Sequence, residues 1–415
     1  MCTHPEPPES ARESGPAPLH RGGRFAIVHV RVAQPMTQSS RTQLARSRRP
    51  VVKIGSAVLA GGGGQAGGPT LDRQRFSALC DDVAALAEGG ARLPVLVSSG
   101  AVALGVERLQ LGTRPREMAL KQAAAAAGQS RLMRLYDDAF EARGLTCAQV
   151  LLTHADIAHR GRYLNARRAL GALLDRGVLP VINENDTVSV EEIKFGDNDA
   201  LAAMVVDLVE ADLLVILTDA PGLCSADPRI ETEAQRICVV ERVTPAVEAL
   251  AGQGGEVGTG GMVTKLRAAR RASEAGVPCA IIPGEPGALQ RLIAGEDVGT
   301  LVLPQGERRR LRQRWMLDLK ARGELRVDDG ARAALLERKK SLLPSGIREV
   351  RGTFAQGDPV EIVSLDGRPF ARGLAVYASD EVRRIAGLRS AEIESRLGYR
   401  LLDCVVHRDD LVVTA

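Results

Sequence analysis

Short apolar runs alternate with longer amphipathic stretches from residue 50 onward, and the two periods separate strands from helices. Val51–Ile54, Leu93–Val97, Cys147–Leu152, Leu179–Ile182, Leu213–Leu217 and Pro278–Ile282 read as strands. Asp72–Glu88, Arg116–Gly128, Gln129–Ala142, Leu164–Arg176, Ala200–Val209, Ala246–Ala251, Lys265–Ala275 and Ala288–Ala294 read as helices. Continuous apolar strands joined by helical crossovers are buried on both faces, which predicts an α/β layered domain around a mainly parallel sheet. Such sheets bind ligands beyond the C-terminal ends of their strands.

The texture changes at both ends. Residues 1–49 are rich in Pro, Ser, Arg and Gly and lack a signal-peptide core, so they are expected to be a disordered extension, with Met36 a candidate true start. The charge run Gln305–Arg314 marks the other boundary. Beyond it, short strands are expected at Glu324–Val327, Glu349–Thr353, Pro359–Val363, Phe370–Val376 and Val405–Val406, with helices at Gly330–Lys339 and Ser379–Ala386. That spacing reads as a small mixed barrel or sandwich. The expected organisation is an extension over 1–49, a main domain over 50–305, a linker over 306–322, a small domain over 323–407 and a tail over 408–415.

Charge alters one conclusion. The net +4 is concentrated at the start, where eight arginines face three glutamates, leaving the remainder near −1. The body is therefore not a basic nucleic-acid binder. Runs such as Leu213–Leu217 are far too short to cross a bilayer. The seven scattered cysteines contain no C-x-x-C pair, which argues for reduced thiols in a cytoplasmic protein and against a zinc site. Lysine is scarce, seven against 48 arginines, yet Lys53 and Lys265 both stand beside glycine-containing turns. A lysine retained in so arginine-biased a chain points to a need for a compact ammonium.

Four stretches carry candidate chemistry. Gly258-Thr259-Gly260-Gly261-Met262-Val263-Thr264-Lys265 opens an amphipathic helix and has the makings of a phosphate cradle, although its spacing is not that of a P-loop. A flexible surface loop is the plainer alternative. Val51-Val52-Lys53-Ile54-Gly55-Ser56 can aim an ammonium at a phosphate, and Ser98-Ser99-Gly100 can offer backbone N–H groups to an anion or simply cap a helix. Asn183-Glu184-Asn185-Asp186 and the run from Glu191 to Asp199 form a dense acidic and amide cluster suited to Mg²⁺ or a substrate ammonium. Thr218-Asp219 ends a strand and could meet a ribose hydroxyl or a metal, or form an ordinary turn. No serine or cysteine is placed to pair with a histidine base. This inventory suits a kinase acting on a carboxylate, which at a pKa of about 4.3 is ionised at neutral pH and needs charge neutralisation instead of a general base.

Read in order, VVKIGS, VSSGAVALG, AAAGQSRL, PVINENDTVS, KFGDNDALAA, LLVILTDAPGL, ADPR and GTGGMVTKL resemble the glutamate 5-kinases of the amino acid kinase superfamily across residues 50–303. Residues 323–407, with GARAALLERKKSLLPSGI and GDPVEI, resemble a PUA domain. The resemblance implies a three-layer αβα sandwich followed by a small mixed β-barrel. It also implies ATP-dependent phosphorylation of the γ-carboxylate of L-glutamate, the first step of proline biosynthesis. Lys53 and Lys265 would neutralise the phosphoryl group in transfer, with Asp199 holding both lysines. Ser99, Asp186 and Asn198 would hold glutamate, with Asn183 and Asp197 beside them. Lys53, Thr218, Asp219, Thr259, Gly260, Gly261, Met262, Val263, Thr264 and Lys265 would line the ATP site, and Mg²⁺ would bridge the phosphates. The same resemblance implies proline feedback inhibition, a homo-oligomer, usually a tetramer, and hand-off of the labile product to glutamyl phosphate reductase. Val263, Cys224 and Pro283 depart from the family's usual residues, all on the expected nucleotide side. The acidic cluster favours a substrate with a free ammonium, against the alternatives of an N-acetylglutamate, aspartate or uridylate kinase. RNA binding through Arg348, Arg351, Arg368, Arg372, Arg383, Arg384 and Arg389 is the alternative from another class, disfavoured by the near-neutral body charge.

Overall fold

The apolar runs pair into a single sheet in the first domain. The computed structural model describes residues 30–32, 36–59, 71–189, 198–252, 261–306 and 320–414. In chain order the strands are β1 (Val30–Val32), β2 (Pro50–Ile54), β3 (Val95–Ser98), β4 (Cys147–Leu152), β5 (Leu179–Glu184), β6 (Leu213–Thr218), β7 (Ile237–Val240), β8 (Cys279–Pro283) and β9 (Thr300–Val302). They lie in the order β1-β7-β9-β8-β6-β2-β3-β5-β4. Every pair from β4 through to β8 is parallel. Strand β9 turns antiparallel to β8, β7 runs parallel to β9, and β1 closes the edge antiparallel.

Helices cover both faces, because successive strand side chains point to opposite sides. On one face Val52, Ile54, Leu96, Val215 and Leu217 pack with α3 (Arg73–Ala87), α5 (Met118–Glu141) and α11 (Ala288–Ile293). On the other Val51, Val97, Leu214 and Ile216 pack with α7 (Arg160–Leu174), α8 (Asn198–Leu208) and α10 (Met262–Glu274). The result is a three-layer αβα sandwich. Lys53 shares its side of β2 with Val51, so it faces α8 and α10.

Three sequence expectations change. Gly128 was expected to end a helix, but α5 runs through it. A Cβ there would lie 1.8 Å from the Ala101 carbonyl oxygen, and one on Gly105 would lie 1.7 Å from that of Ala124. Both glycines let α4 (Ala101–Arg108) touch α5 backbone to backbone. Gly128→Ala is accordingly expected to destabilise the protein by about 1–3 kcal/mol through overpacking, read as a lower urea midpoint; an unchanged midpoint would contradict the close-contact reading.

Second, disorder over 1–49 does not hold for residues 30–32 and 36–49; the rest of that segment lies outside the described residues. Met36 and Leu44, in and before α1 (Gln38–Ala45), enter the core. Asp212 then draws in the polar chain, accepting from Ser47 Oγ at 2.6 Å, Arg48 N at 2.7 Å and Arg49 N at 3.0 Å. Third, the tail expected from residue 408 is a strand. Of the linker expected over 306–322, residues 307–319 lie outside the described residues.

The second domain is a mixed five-stranded sheet of β10 (Gly323–Val327), β11 (Ile347–Gly352), β12 (Pro359–Val363), β13 (Pro369–Ala375) and β14 (Val406–Val413), ordered β11-β10-β12-β13-β14. Strands β10 and β12 are parallel and the other pairs antiparallel. The chain continues as β14 past residue 407 because Leu411, Val412 and Val413 pair with Gly373, Arg372 and Ala371. Leu325, Val360, Ile362, Phe370, Tyr377 and Val382 form its own core.

Candidate active site

At the C-terminal end of β2, where chain and sheet direction place ligands in such folds, Lys53 meets the first turn of α8. Its Nζ lies 2.6 Å from Asp199 Oδ1, and Lys265 Nζ, from the first turns of α10, lies 3.3 Å from Asp199 Oδ2. Thr264 Oγ1 donates to the same Oδ2 at 2.7 Å. The Asp199 side chain is 0% exposed, and those of Lys53 and Lys265 are 6% and 8% exposed. Burial pushes the Asp199 carboxyl up, but the two ammoniums and the Thr264 hydrogen bond outweigh it and hold the group below the usual carboxylate range. Burial also drives the Lys265 ammonium below the usual lysine value, opposed by Asp199 and assisted by Lys53. The trio carries one negative and two positive charges, a net +1 in a desolvated place. Each ammonium has three donors and is paired with one oxygen of Asp199.

Glycine makes the room. A Cβ on Gly55 would lie 3.2 Å from Lys53 Nζ. Helix α10 begins at Met262 with Gly261 as its cap, three residues earlier than expected. Lys265 therefore sits inside the helix, with Met262, Val263 and Thr264 in the turn before it. Thr259, Gly260 and Asp197 lie outside the described residues.

A second cluster adjoins the first through Asn198, the neighbour of Asp199. Asn198 Nδ2 donates to Ser99 Oγ at 2.7 Å, Ser98 O at 3.0 Å and Asn183 Oδ1 at 3.0 Å. Asn198 Oδ1 is buried and accepts no hydrogen bond from the described residues. Ser99 N donates to Ile54 O at 3.0 Å, and Gly100, with φ of 113°, turns the chain into α4. The amide side chains so bring β2, β3, β5 and α8 to one point. Asp186 lies in the turn after β5; burial and the charge of Glu184 push its carboxyl up to about 6, against the pull of Arg114.

Thr218 ends β6, the neighbour of β2, and Asp219 follows it. Thr218 O accepts from Gly284 N at 2.7 Å, and its Oγ1 meets Asp219 Oδ1 at 3.2 Å. Asp219 is exposed and its charge reaches Lys265. Gln129 was missed: its Oε1 accepts from Asn183 Nδ2 at 2.8 Å and fixes that amide's orientation. Its place directly after the alanine run and Gly128 of α5 was the available signal for Gln129. Glu184, part of the acidic cluster, is buried and accepts from Ser189 Oγ at 3.0 Å.

Six cysteines of the described residues form no disulfide. Among the described residues no helix is long and apolar enough to cross a membrane. Four of the arginines considered for RNA pair with carboxylates: Arg348 with Asp328, Arg351 with Glu349, Arg368 with Asp366 and Arg372 with Glu361.

Comparison with known proteins gives the same picture. Residues 48–283 match the model of the amino acid kinase family, and residues 323–397 match that of the PUA domain. A glutamate 5-kinase of Myxococcus xanthus is 54% identical over 378 residues, covering 90% of this chain and 98% of the relative. Those of Pelobacter propionicus and Deinococcus radiodurans are 51% and 52% identical, covering 88% of this chain and 97% and 99% of the relatives. The chain belongs to the amino acid kinase family, and within it to the glutamate 5-kinases.

Proposed function

We propose that the two clusters together transfer the γ-phosphoryl group of ATP to the γ-carboxylate of L-glutamate. The observation that carries the reading is the pair of buried lysines sharing one fully buried carboxylate. A carboxylate nucleophile needs no base, but it must approach a phosphoryl group of the same charge sign. Lys53 and Lys265 supply the opposing charge from fixed positions, so no reorganisation is needed as charge moves to the leaving oxygen. Asp199 keeps the ammoniums in place and does not react. Thr218, Asp219 and the start of α10 would hold the nucleotide. Ser99, Asn183, Asn198 and Asp186 would hold the amino acid, with the unmatched Asn198 Oδ1 an acceptor for its ammonium.

Among the described residues no three His, Cys, Asp or Glu side chains gather as a metal cage. A Mg²⁺ ion would be carried on the phosphate oxygens, where it would add charge neutralisation. Proline inhibition, tetrameric assembly and hand-off of the acyl phosphate rest on family likeness alone, and a cytoplasmic setting on the scattered cysteines; a proline titration of the assay below and light scattering test the first two.

Measuring ADP release with L-glutamate, N-acetylglutamate, L-aspartate and UMP as acceptors tests the reading. L-glutamate is expected to be the preferred acceptor, and preference for any of the others would overturn it.

A pH dependence follows from Asp186. Its carboxyl, raised to about 6, is charged above that pH and neutral below it. A protonated Asp186 loses the charge that attracts the substrate ammonium, so KM for L-glutamate is expected to climb as pH falls through about 6, while KM for ATP does not follow. The substrate's own carboxylate titrates near 4.3, too low to produce that inflection. Asp186→Asn should abolish the inflection; a wild-type KM that stays flat from about pH 8 to about pH 5 would contradict the assignment.

A further inference from the structure

The C-terminal end of α8, opposite the end that carries Asn198 and Asp199, is held by a salt-bridge chain that crosses between the domains. Arg167, midway along α7, places Nη2 2.5 Å from Glu210 Oε1, just past α8, and Nη1 2.8 Å from Asp410 Oδ1 on β14. The guanidinium is 18% exposed, the Asp410 side chain 14% and the Glu210 side chain 34%, so the Asp410 arm is the less open to screening by salt. Glu210 has φ of 54°, the left-handed region in which non-glycine residues are uncommon. Its hold on Arg167 is one of the contacts that secure this turn. Tyr163 Oη, one turn earlier on α7, donates to Asp207 O at 3.5 Å. From the far side Arg49 Nη1 donates to Val209 O at 2.8 Å. The next residue of α7, Arg168, is pushed below the usual guanidinium value by burial beneath the second domain, where Tyr377, Asp410 and Cys404 offset part of the effect.

We infer that Arg167 is a positioning residue for phosphoryl transfer: by joining Asp410 of the second domain to Glu210, it fixes α8 along its axis and thereby the places of Asn198 and Asp199. A helix is stiff along its length, so a shift at Glu210 is passed to the site at the other end without any change in the residues that touch substrate. The second domain, on this reading, acts on catalysis through Asp410. The inference rests on the proposed function for its activity readout, and on structure alone for its second readout.

The test uses the full-length protein and the Asp410→Asn, Asp410→Glu and Arg167→Ala variants, with Asp409→Asn as a control on the exposed neighbour. Asp410→Asn is expected to lower kcat for glutamate phosphorylation about fivefold, with KM for ATP little changed. It should also speed hydrogen exchange of the α8 amides. Asp410→Glu should restore both, the double variant Arg167→Ala/Asp410→Asn should be no worse than the poorer single one, and Asp409→Asn should match wild type. Wild-type kcat and wild-type α8 exchange in Asp410→Asn would overturn the inference, as would a kcat loss with α8 exchange unchanged. If wild type phosphorylates no glutamate, the proposed function fails, while α8 exchange still decides whether Asp410 governs the helix.

Discussion

Asp199→Asn is expected to abolish catalysis, on the order of a 10³-fold loss in kcat, and to destabilise the fold as well. The carboxylate is 0% exposed and touches two ammoniums and one hydroxyl. Neutralising it changes the trio from net +1 to +2 and leaves buried like charges facing each other. The amide NH₂ would also confront one ammonium with another donor. Removing one partner from a buried ionic network costs about 3–5 kcal/mol. Lys265, already pushed down by burial, would drop further and shed its proton more readily. Kinetics and a urea denaturation series on the variant measure both effects. A kcat within a few-fold of wild type would show that Asp199 does not organise the lysines.

Lys53→Ala is the second large effect, about 10²–10³ in kcat, the size found when one preorganised charge-stabilising group is removed. Here stability should rise or change little, because the variant removes a charge from a site with a surplus positive one. Kinetic loss without a stability loss therefore separates Lys53 from Asp199. Lys53→Arg should not rescue activity. The space around Nζ is narrow enough that even a methyl group on Gly55 would come within 3.2 Å of it. A planar guanidinium is larger and carries its charge differently. An active Lys53→Arg enzyme would mean that bulk positive charge, and not a placed ammonium, does the work.

Much of the fold was legible because the central strands are buried on both faces. β2, β4, β5, β6 and β8 each lie within two residues of the expected runs. Strands β7 and β9 were not foreseen. Each is short, Ile237–Val240 and Thr300–Val302, and its apolar run gives no period to tell strand from loop. Gly128 misled for a different reason: a helix-weakening residue was read as a break, whereas a neighbouring helix requires its missing side chain. The ordering of residues 36–49 was hidden because it depends on Asp212, more than 160 residues away.

The candidate site was legible in composition and not in geometry. Two lysines kept in an arginine-rich chain, beside glycines, pointed to placed ammoniums. The family resemblance assigned Asp199 to hold them, and the described contacts bring the three together. Thr264 was expected to line the nucleotide site, and its hydroxyl donates to Asp199. Gln129 reaches Asn183 only because α5 is continuous past Gly128, so the misread helix break and the missed residue share one cause.

The decisive measurement is trapping of the acyl phosphate with hydroxylamine, run with ATP, Mg²⁺ and L-glutamate on wild type and Lys53→Ala. γ-Glutamyl hydroxamate is expected from wild type, with roughly 10²–10³-fold less from the folded variant. Hydroxamate from N-acetylglutamate or aspartate but not from L-glutamate, or equal yields from the two proteins, would contradict a pair of placed lysines acting on a free amino acid's carboxylate.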